Sequence, residues 1–458
     1  MKKALYWFSN DLRLQDNRTL TTLLMQADKI AFVYVIDPRW FKPQNFHHKM
    51  VGNHRWRVIC QSLLQLQYQL QQHGHQLTLV SGPAEQQIIT LAREHEIDII
   101  GHGEQVGVYE QQVWQTIIQA LPQVECVSLW DSTLFASNQL NLTPDTLASF
   151  SKFRKLIERE PIAPHGPGKI HLDALPYPLT LVSEEEAQHA WTRLPNYGAS
   201  QSEHSSLFQG GEMTAIAHLT QYFSSDAPQT YKQTRNALDG WQQSTKLSHF
   251  LSLGNVSARQ VWQELKLYEE QYGANESTYW IGFELWWREY FQWLALQLDW
   301  RLFSFQGRAQ QPPLTSYFAE RFKKWCHGTT PYPLVNACMR ELNSTGYMSN
   351  RGRQLVASCL VNEMGIDWRF GAAYFQQQLG DHDVAANWGN WQYIAGVGAD
   401  PRGGRHFNLD KQTQMFDPEG HFIAKWQGDN TTLALDSVDA ADWPRDDPQG
   451  SAKNRDCS

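Results

Sequence analysis

The chain has 458 residues, 41% of them hydrophobic and 19% charged, with a formal net charge of −8. That length allows two or three domains with buried cores. The charge argues against a protein that coats nucleic acid non-specifically, because such domains are usually basic, while leaving room for a local basic patch. Six cysteines form no CxxC pair and no His/Cys cluster has metal-ligand spacing, so no metal site is expected and the thiols suit a reducing compartment. The start, MKKALYWFSNDLRL, is too short in apolar residues for a signal-peptide core, and no apolar run is long enough to span a bilayer. A cytoplasmic protein without a membrane partner is expected. The 19 Trp, 17 Tyr and 21 Phe suit a core, stacking on a flat ligand or passage of an electron, without choosing among them.

Residues 1–131 alternate between two periods. The short apolar runs 4–9, 30–36, 77–80, 97–100 and 124–130 read as strands buried on both faces. Between them lie helical patterns, as where Ile59, Leu63, Leu66 and Leu70 recur at helical spacing. Repeated strand–helix alternation predicts a doubly wound parallel sheet. The glycine fingerprint of dinucleotide binding is missing: GHGEQVG (101–107) has its glycines at the wrong offsets. Prolines 161, 164, 167, 176 and 178 then break up residues 132–206, which read as a connector across the surface. Residues 207–427 read as an all-α domain, with Ser257 capping ARQVWQELKLYEE. The remainder, 428–458, carries Asp429, Asp436, Asp439, Asp442, Asp446, Asp447 and Asp456 with few large apolar residues, and is expected to be a disordered tail.

Three stretches carry chemistry. In YWIGFELWWREYF (279–291), Glu284, Trp287 and Arg288 fall at i, i+3 and i+4 of a helix. They suit either a core helix with an internal ion pair or a pocket wall where an indole stacks on an extruded base and a carboxyl bonds its edge. Within 332–368, Asn350, Arg351 and Arg353 begin a helix, a place that holds a phosphate or carboxylate or is simply solvated. In DHDVAANWGNWQYIAGVGADPRGG (381–404), Asp381, Asp383 and Asn387 precede Trp388 and Trp391. No third ligand at a recognised spacing supports a metal there, and Arg353 is a plausible partner for a buried Asp.

Taken in order, these segments resemble the flavin-binding helical domain of the photolyase–cryptochrome family. WFSNDLRLQDN (7–17) and YVIDPRWF (34–41) resemble its N-terminal domain, and YKQTRN (231–236) with STKLSHFLSLGNVSARQ (244–260) resemble its phosphate-binding stretch. The resemblance runs from about residue 4 to 427. It implies FAD held at its phosphates by Tyr231 and by Ser244, Thr245, Lys246, Leu247 and Ser248. It implies Asp381 paired with Arg353, Asp383 at the ribose or ring, and Asn387 facing flavin N5. Glu284, Trp287, Arg288, Asn350, Arg351, Tyr393 and Gln412 would meet DNA, with Glu284 hydrogen-bonded to the lesion. Trp391 and Trp368 match the inner members of the family's electron relay; Thr315 stands where the outer tryptophan belongs, with Tyr317 a substitute, and Ser9 departs from the usual Arg.

NRGRQ (350–354), NWGNWQY (387–393) and AGVGADPR (395–402) resemble the cryptochrome-DASH branch. Gln354 and Tyr393 replace the usual Met and Trp of duplex-acting enzymes, and MSN (348–350) lacks the histidine of (6-4) photolyases. The resemblance therefore implies repair of cyclobutane pyrimidine dimers by light-excited reduced FAD, preferentially in single-stranded DNA. A photoreceptor signalling through a protein partner is the alternative. It further implies a 5,10-methenyltetrahydrofolate antenna touching Glu110, which reads equally well as a surface residue at a helix start.

Overall fold

The computed structural model describes residues 1–159, 163–194, 208–399 and 404–431. Part of AGVGADPR and the expected tail beyond Thr431 lie outside the described residues. The chain forms two compact units. One comprises Met1–Arg235, Trp241–Trp300 and Gln376–Gly389; the other comprises Asn236–Gly240, Arg301–Phe375 and the chain from Asn390 onward.

The first unit is built on a parallel sheet. Strands β1 (Lys3–Phe8), β2 (Lys29–Ile36), β3 (Leu77–Ser81), β4 (Ile99–His102) and β5 (Glu125–Val127) lie in the order β3-β2-β1-β4-β5. The strands follow the five apolar runs, and their period-two alternation supplies two cores. Ala4, Tyr6 and Phe8 of β1 with Ile30, Phe32 and Tyr34 of β2 point to one face, where the helices Arg18–Leu24 and Asn53–Gln72 cover them. Leu5 and Trp7 with Ala31, Val33 and Val35 point to the other, under Ala84–Glu94 and Val108–Ala120. All four leucine-type positions read from 53–73 are buried.

Residues 132–194 are more than a surface connector. Tyr177–Pro178 forms a sixth strand, β6, parallel to the start of β2, and Ile170, Leu181 and Leu194 enter the two cores. Proline broke the periodicity but not the burial. The break expected near residue 207 is not where the units part: helices Glu212–Phe223, Ala227–Thr234, Ala258–Tyr272 and Glu276–Leu298 belong to the first unit and share a core of their own. The opening motif DLRLQDN explains the attachment. Arg259 bonds the buried Asp16 at 3.0 Å, Asn255 donates to the Leu12 carbonyl, and Glu212 accepts from the Leu14 and Gln15 amides at 2.9 Å. These residues are a buried structural network.

The second unit is helical, with Ala319–His327, Pro333–Thr345, Asn350–Ser358, Leu409–Phe416 and His421–Lys425 and most of Trp368–Gln378. One π-helical turn, Cys359–Glu363, follows Ser358. No helix among the described residues is long and apolar enough to cross a membrane, and no group of three metal-ligating side chains converges there.

Candidate flavin and lesion site

The helix Glu276–Leu298 starts at Asn275, whose side chain accepts from the Ser277 and Thr278 amides. Buried residues surround it on nearly every side, so its polar groups need partners. Glu284 finds one in Arg235, and the Arg235 guanidinium also lies 4.7 Å from the centre of the Trp280 ring. Burial pushes the Glu284 carboxyl above the usual carboxylate range, and Arg235 pulls it back. Tyr231 precedes Arg235 by one turn; burial, reinforced by the Glu284 charge, holds its phenol protonated. Tyr231, expected at the phosphates, thus shares its surroundings with Glu284, expected at the lesion. Arg235 lies within YKQTRN, where the resemblance implied a role for Tyr231 alone. Its place one turn after Tyr231 was the available signal.

Trp287 is stacked on Phe150 at 3.7 Å with the rings 10° from parallel. One face of the indole is therefore covered, by a residue from the stretch read as a connector. Arg288 is committed to the protein: it donates to the Ser132 carbonyl and lies 3.8 Å from Asp383. Its guanidinium thus lies beside Asp383, and the expected DNA contact stays a proposal. Next along the helix, the buried Glu289 accepts from the Leu134 amide at 2.6 Å and the Trp293 indole at 2.7 Å. That pins the Leu134–Phe135 segment to the helix.

Asp383 caps its own helix, accepting from the Ala386 amide at 2.9 Å with one oxygen and from Gln292 at 2.8 Å with the other. Asn387, one turn on, is buried, as is Asp381. Between the two aspartates stands His382, which sequence reading passed over; its Nδ1 lies 3.0 Å from Arg55 Nη1. Burial and the Arg55 charge hold the imidazole neutral. Glu110 is half-buried in the first turn of Val108–Ala120. Its carboxyl folds back over Gly107 so closely that a Cβ there would sit 2.0 Å from Oε2, and burial raises it while Arg55 opposes.

The Ser244–Ser248 turn divides its labour. Leu247 packs into the helical core, so only its backbone can reach a ligand. Lys246 has a left-handed φ of 53° and turns its ammonium back to Ser244 Oγ at 3.0 Å. His218 contacts the Thr245 carbonyl at 2.8 Å. The hydroxyls of Thr245 and Ser248 and the buried Nε2 of His249 have no hydrogen-bond partner among the described residues. The hydroxyls of Thr245 and of the exposed Ser248 can donate from one turn to a diphosphate, and the residues present fit FAD.

In the second unit, Ser349 caps the helix Asn350–Ser358 by accepting from the Gly352 amide. Asn350 is exposed, Arg353 donates to the Met348 carbonyl at 2.9 Å, and Arg351 bonds Asn236 at 3.1 Å while facing the Phe416 ring at 4.9 Å. Asp381 and Arg353 fall in different units, and their pairing stays a proposal. Tyr393 lies under Arg405, 5.2 Å from guanidinium to ring centre, with its hydroxyl bonded to Arg405 at 2.5 Å. Gln412 sits on Leu409–Phe416 with its buried Oε1 unpartnered among the described residues. Trp391 packs against Gly371, where an added Cβ would meet the indole at 2.3 Å, and lies 6.1 Å from Trp325. Trp368 is fully buried and donates to the Phe305 carbonyl. Tyr317 is 42% exposed and stacks on Phe370 at 4.2 Å, whereas Thr315 Oγ1 is buried.

Comparison with known proteins places the chain in a family. Residues 4–168 match the family model of DNA photolyase, and 280–451 match that of the FAD-binding domain of DNA photolyase. The chain is 44% identical over 450 residues to the cryptochrome DASH of Idiomarina loihiensis, covering 96% of each, and 45% identical over 451 residues to that of Vibrio parahaemolyticus, covering 97% of this chain and 98% of the other. Among solved structures it resembles a Synechocystis cryptochrome with a TM-score of 0.85 at 37% identity, covering 93% of this chain and 88% of that one. The chain belongs to the photolyase–cryptochrome family, and within that family to the cryptochrome DASH group.

Proposed function

We propose that this flavoprotein is a blue-light-driven lyase that splits cyclobutane pyrimidine dimers, preferentially in single-stranded DNA, with 5,10-methenyltetrahydrofolate as its antenna. The observation that carries the reading is Glu284: a carboxyl raised by burial, balanced by Arg235, one turn from the half-buried Trp287 indole, whose plane Phe150 fixes by stacking. When bound, reduced FAD would supply, on absorbing light, one electron to the dimer and take it back once the two C–C bonds have opened. Tyr231, Thr245 and Ser248 would hold its diphosphate, Asp381, Asp383, Asn387 and Arg353 its ring and ribose.

The chain's own residues then have separable tasks. Glu284 holds a proton toward a pyrimidine carbonyl, and Arg235 limits how long it keeps that proton. Trp287 stacks on the extruded base, with Phe150 behind it. Asn350, Arg351 and Gln412 meet the strand, and Tyr393, fixed by Arg405, replaces a larger indole. A tyrosine offers a smaller stacking face, and base–aromatic contacts are worth about 1–3 kcal/mol each. Extruding a dimer from a duplex costs a few kcal/mol that a single strand does not demand. Glu110, with its raised carboxyl, is positioned on the α/β unit to donate a hydrogen bond to a folate ring.

The test is to illuminate the FAD-reduced protein with an oligothymidylate carrying dimers and to follow the return of thymine absorbance. Recovery on single strands, slower on matched duplex, is expected. No light-dependent recovery on either substrate refutes the lyase and leaves the photoreceptor.

A further inference from the structure

The second unit contains a cleft of about 670 Å³ that includes none of the residues given to flavin, lesion or electron relay. Its walls come from the helices Ala319–His327 and Pro333–Thr345 and from the chain just after His421–Lys425. Lys323, Lys324 and Arg340 line it against a single carboxylate, Glu320, so its field is positive.

Lys324 is the informative residue. It is only 8% exposed, yet its ammonium makes no hydrogen bond to any described residue. Its nearest counter-ion, Glu320, lies 3.8 Å away, beyond hydrogen-bond reach. The stem is buried while the ammonium opens onto the cleft, so its three donors are presented to whatever accepting group enters there. Arg340 has the opposite character. Its guanidinium is fastened to three carbonyls, those of Gly328 at 3.1 Å, Gln427 at 2.6 Å and Asn430 at 3.3 Å. It is a fixed positive wall rather than a free hand. To present its carbonyl, Gln427 adopts a left-handed φ of 55°, unusual for a residue with a side chain.

We propose that this cleft is a binding site for a phosphate-bearing ligand of nucleotide size, with Lys324 as the direct contact and Arg340 as a fixed source of positive potential. A compact ammonium suits a phosphate as a point charge. The volume exceeds what a bare anion needs and falls within the ordinary range for small-molecule sites. The amide side chains of Gln427 and Asn430 at the wall leave polar groups for the remainder of the ligand. Glu320 is the gate: it is Lys324's counter-ion while the cleft holds no anion, and it opposes any anion that arrives.

The probes are inorganic phosphate and thymidine 5′-monophosphate, titrated calorimetrically into the FAD-loaded full chain in the dark. Saturable binding is expected, tighter for the nucleotide. Lys324→Met keeps the apolar stem and should weaken it roughly tenfold or more, the loss of one charge-assisted hydrogen bond. Lys324→Arg should retain it. Glu320→Gln should strengthen it severalfold, a direction that a merely structural role of this pair does not give, and this arm stands even if Lys324→Met folds poorly. A lesion-free oligothymidylate separates the sources. Equal loss on Lys324→Met for nucleotide and oligomer assigns the phosphate to a DNA strand; loss for the nucleotide alone assigns a free nucleotide. Absence of saturable binding by the unmodified chain, unchanged affinity in Lys324→Met, or weaker binding in Glu320→Gln overturns the proposal.

Discussion

Replacing Phe150 by leucine should weaken binding of dimer-containing DNA although Phe150 itself is buried behind Trp287. The rings lie 3.7 Å apart and 10° from parallel, and Phe150 also packs edge-on against Phe283 at 5.0 Å and Tyr290 at 5.8 Å. Leucine roughly conserves volume, so the fold should lose less than about 1.5 kcal/mol. The stack itself is worth about 0.5–1.5 kcal/mol beyond its area, and that energy fixes the indole plane onto which the base must fall. Releasing it should raise the Kd for a single-stranded dimer roughly two- to twelvefold. Trp287→Leu removes the stacking face outright and should cost about 1–3 kcal/mol, at least roughly fivefold. Because Phe150 acts through the indole, Phe150→Leu should add almost nothing in the Trp287→Leu background. Fluorescence anisotropy in the dark, with a dimer-containing and an undamaged oligothymidylate, gives all four corners of the cycle. Additive losses, or equal losses on undamaged DNA, would refute the backing role.

Other outcomes follow from the same geometry. Since burial raises the Glu284 carboxyl, its proton is present at low pH and lost as pH rises through that raised value; repair should fall along this limb, and Arg235→Gln, which leaves burial unopposed, should move the limb to higher pH in a pH–rate profile. Glu289→Gln turns an amide donor toward the Leu134 and Phe135 N–H groups, and should destabilise the chain by about 1–3 kcal/mol, read as a lower Tm. Trp391→Phe should block light-driven reduction of bound oxidised FAD by an external thiol, whereas Tyr317→Phe should only slow it; equal rates in both would contradict the relay.

The fold was legible where burial and periodicity coincide. Five apolar runs became five strands because a parallel sheet covered on both faces needs apolar residues on both. Ser257 marked the helix start where it falls, at Ala258, with a capping box to Gln260. The stretch 132–194 was misjudged because proline and glycine report backbone breaks, not whether Ile170, Leu181 and Leu194 are buried afterwards. The unit boundary was hidden for a related reason: Arg259, Asn255 and Glu212 reach back more than 190 residues to the opening motif, and pairing at that range leaves no local trace.

In the site, the motifs marked the elements on which the candidate residues sit but not the partners of those residues. The spacing of Glu284, Trp287 and Arg288 placed them on one helix, while the residues that decide their behaviour, Arg235, Phe150 and Ser132, come from elsewhere in the chain. The same holds for Arg55 beside His382 and for Arg405 over Tyr393.

Reconstitution with FAD tests the central proposition most directly. Apoprotein titrated with free FAD should quench its fluorescence to a sharp end point of one flavin per chain, and simultaneous replacement of Tyr231 and Ser248 by Phe and Ala should weaken uptake. A chain that stays colourless with equimolar FAD present would contradict the whole account.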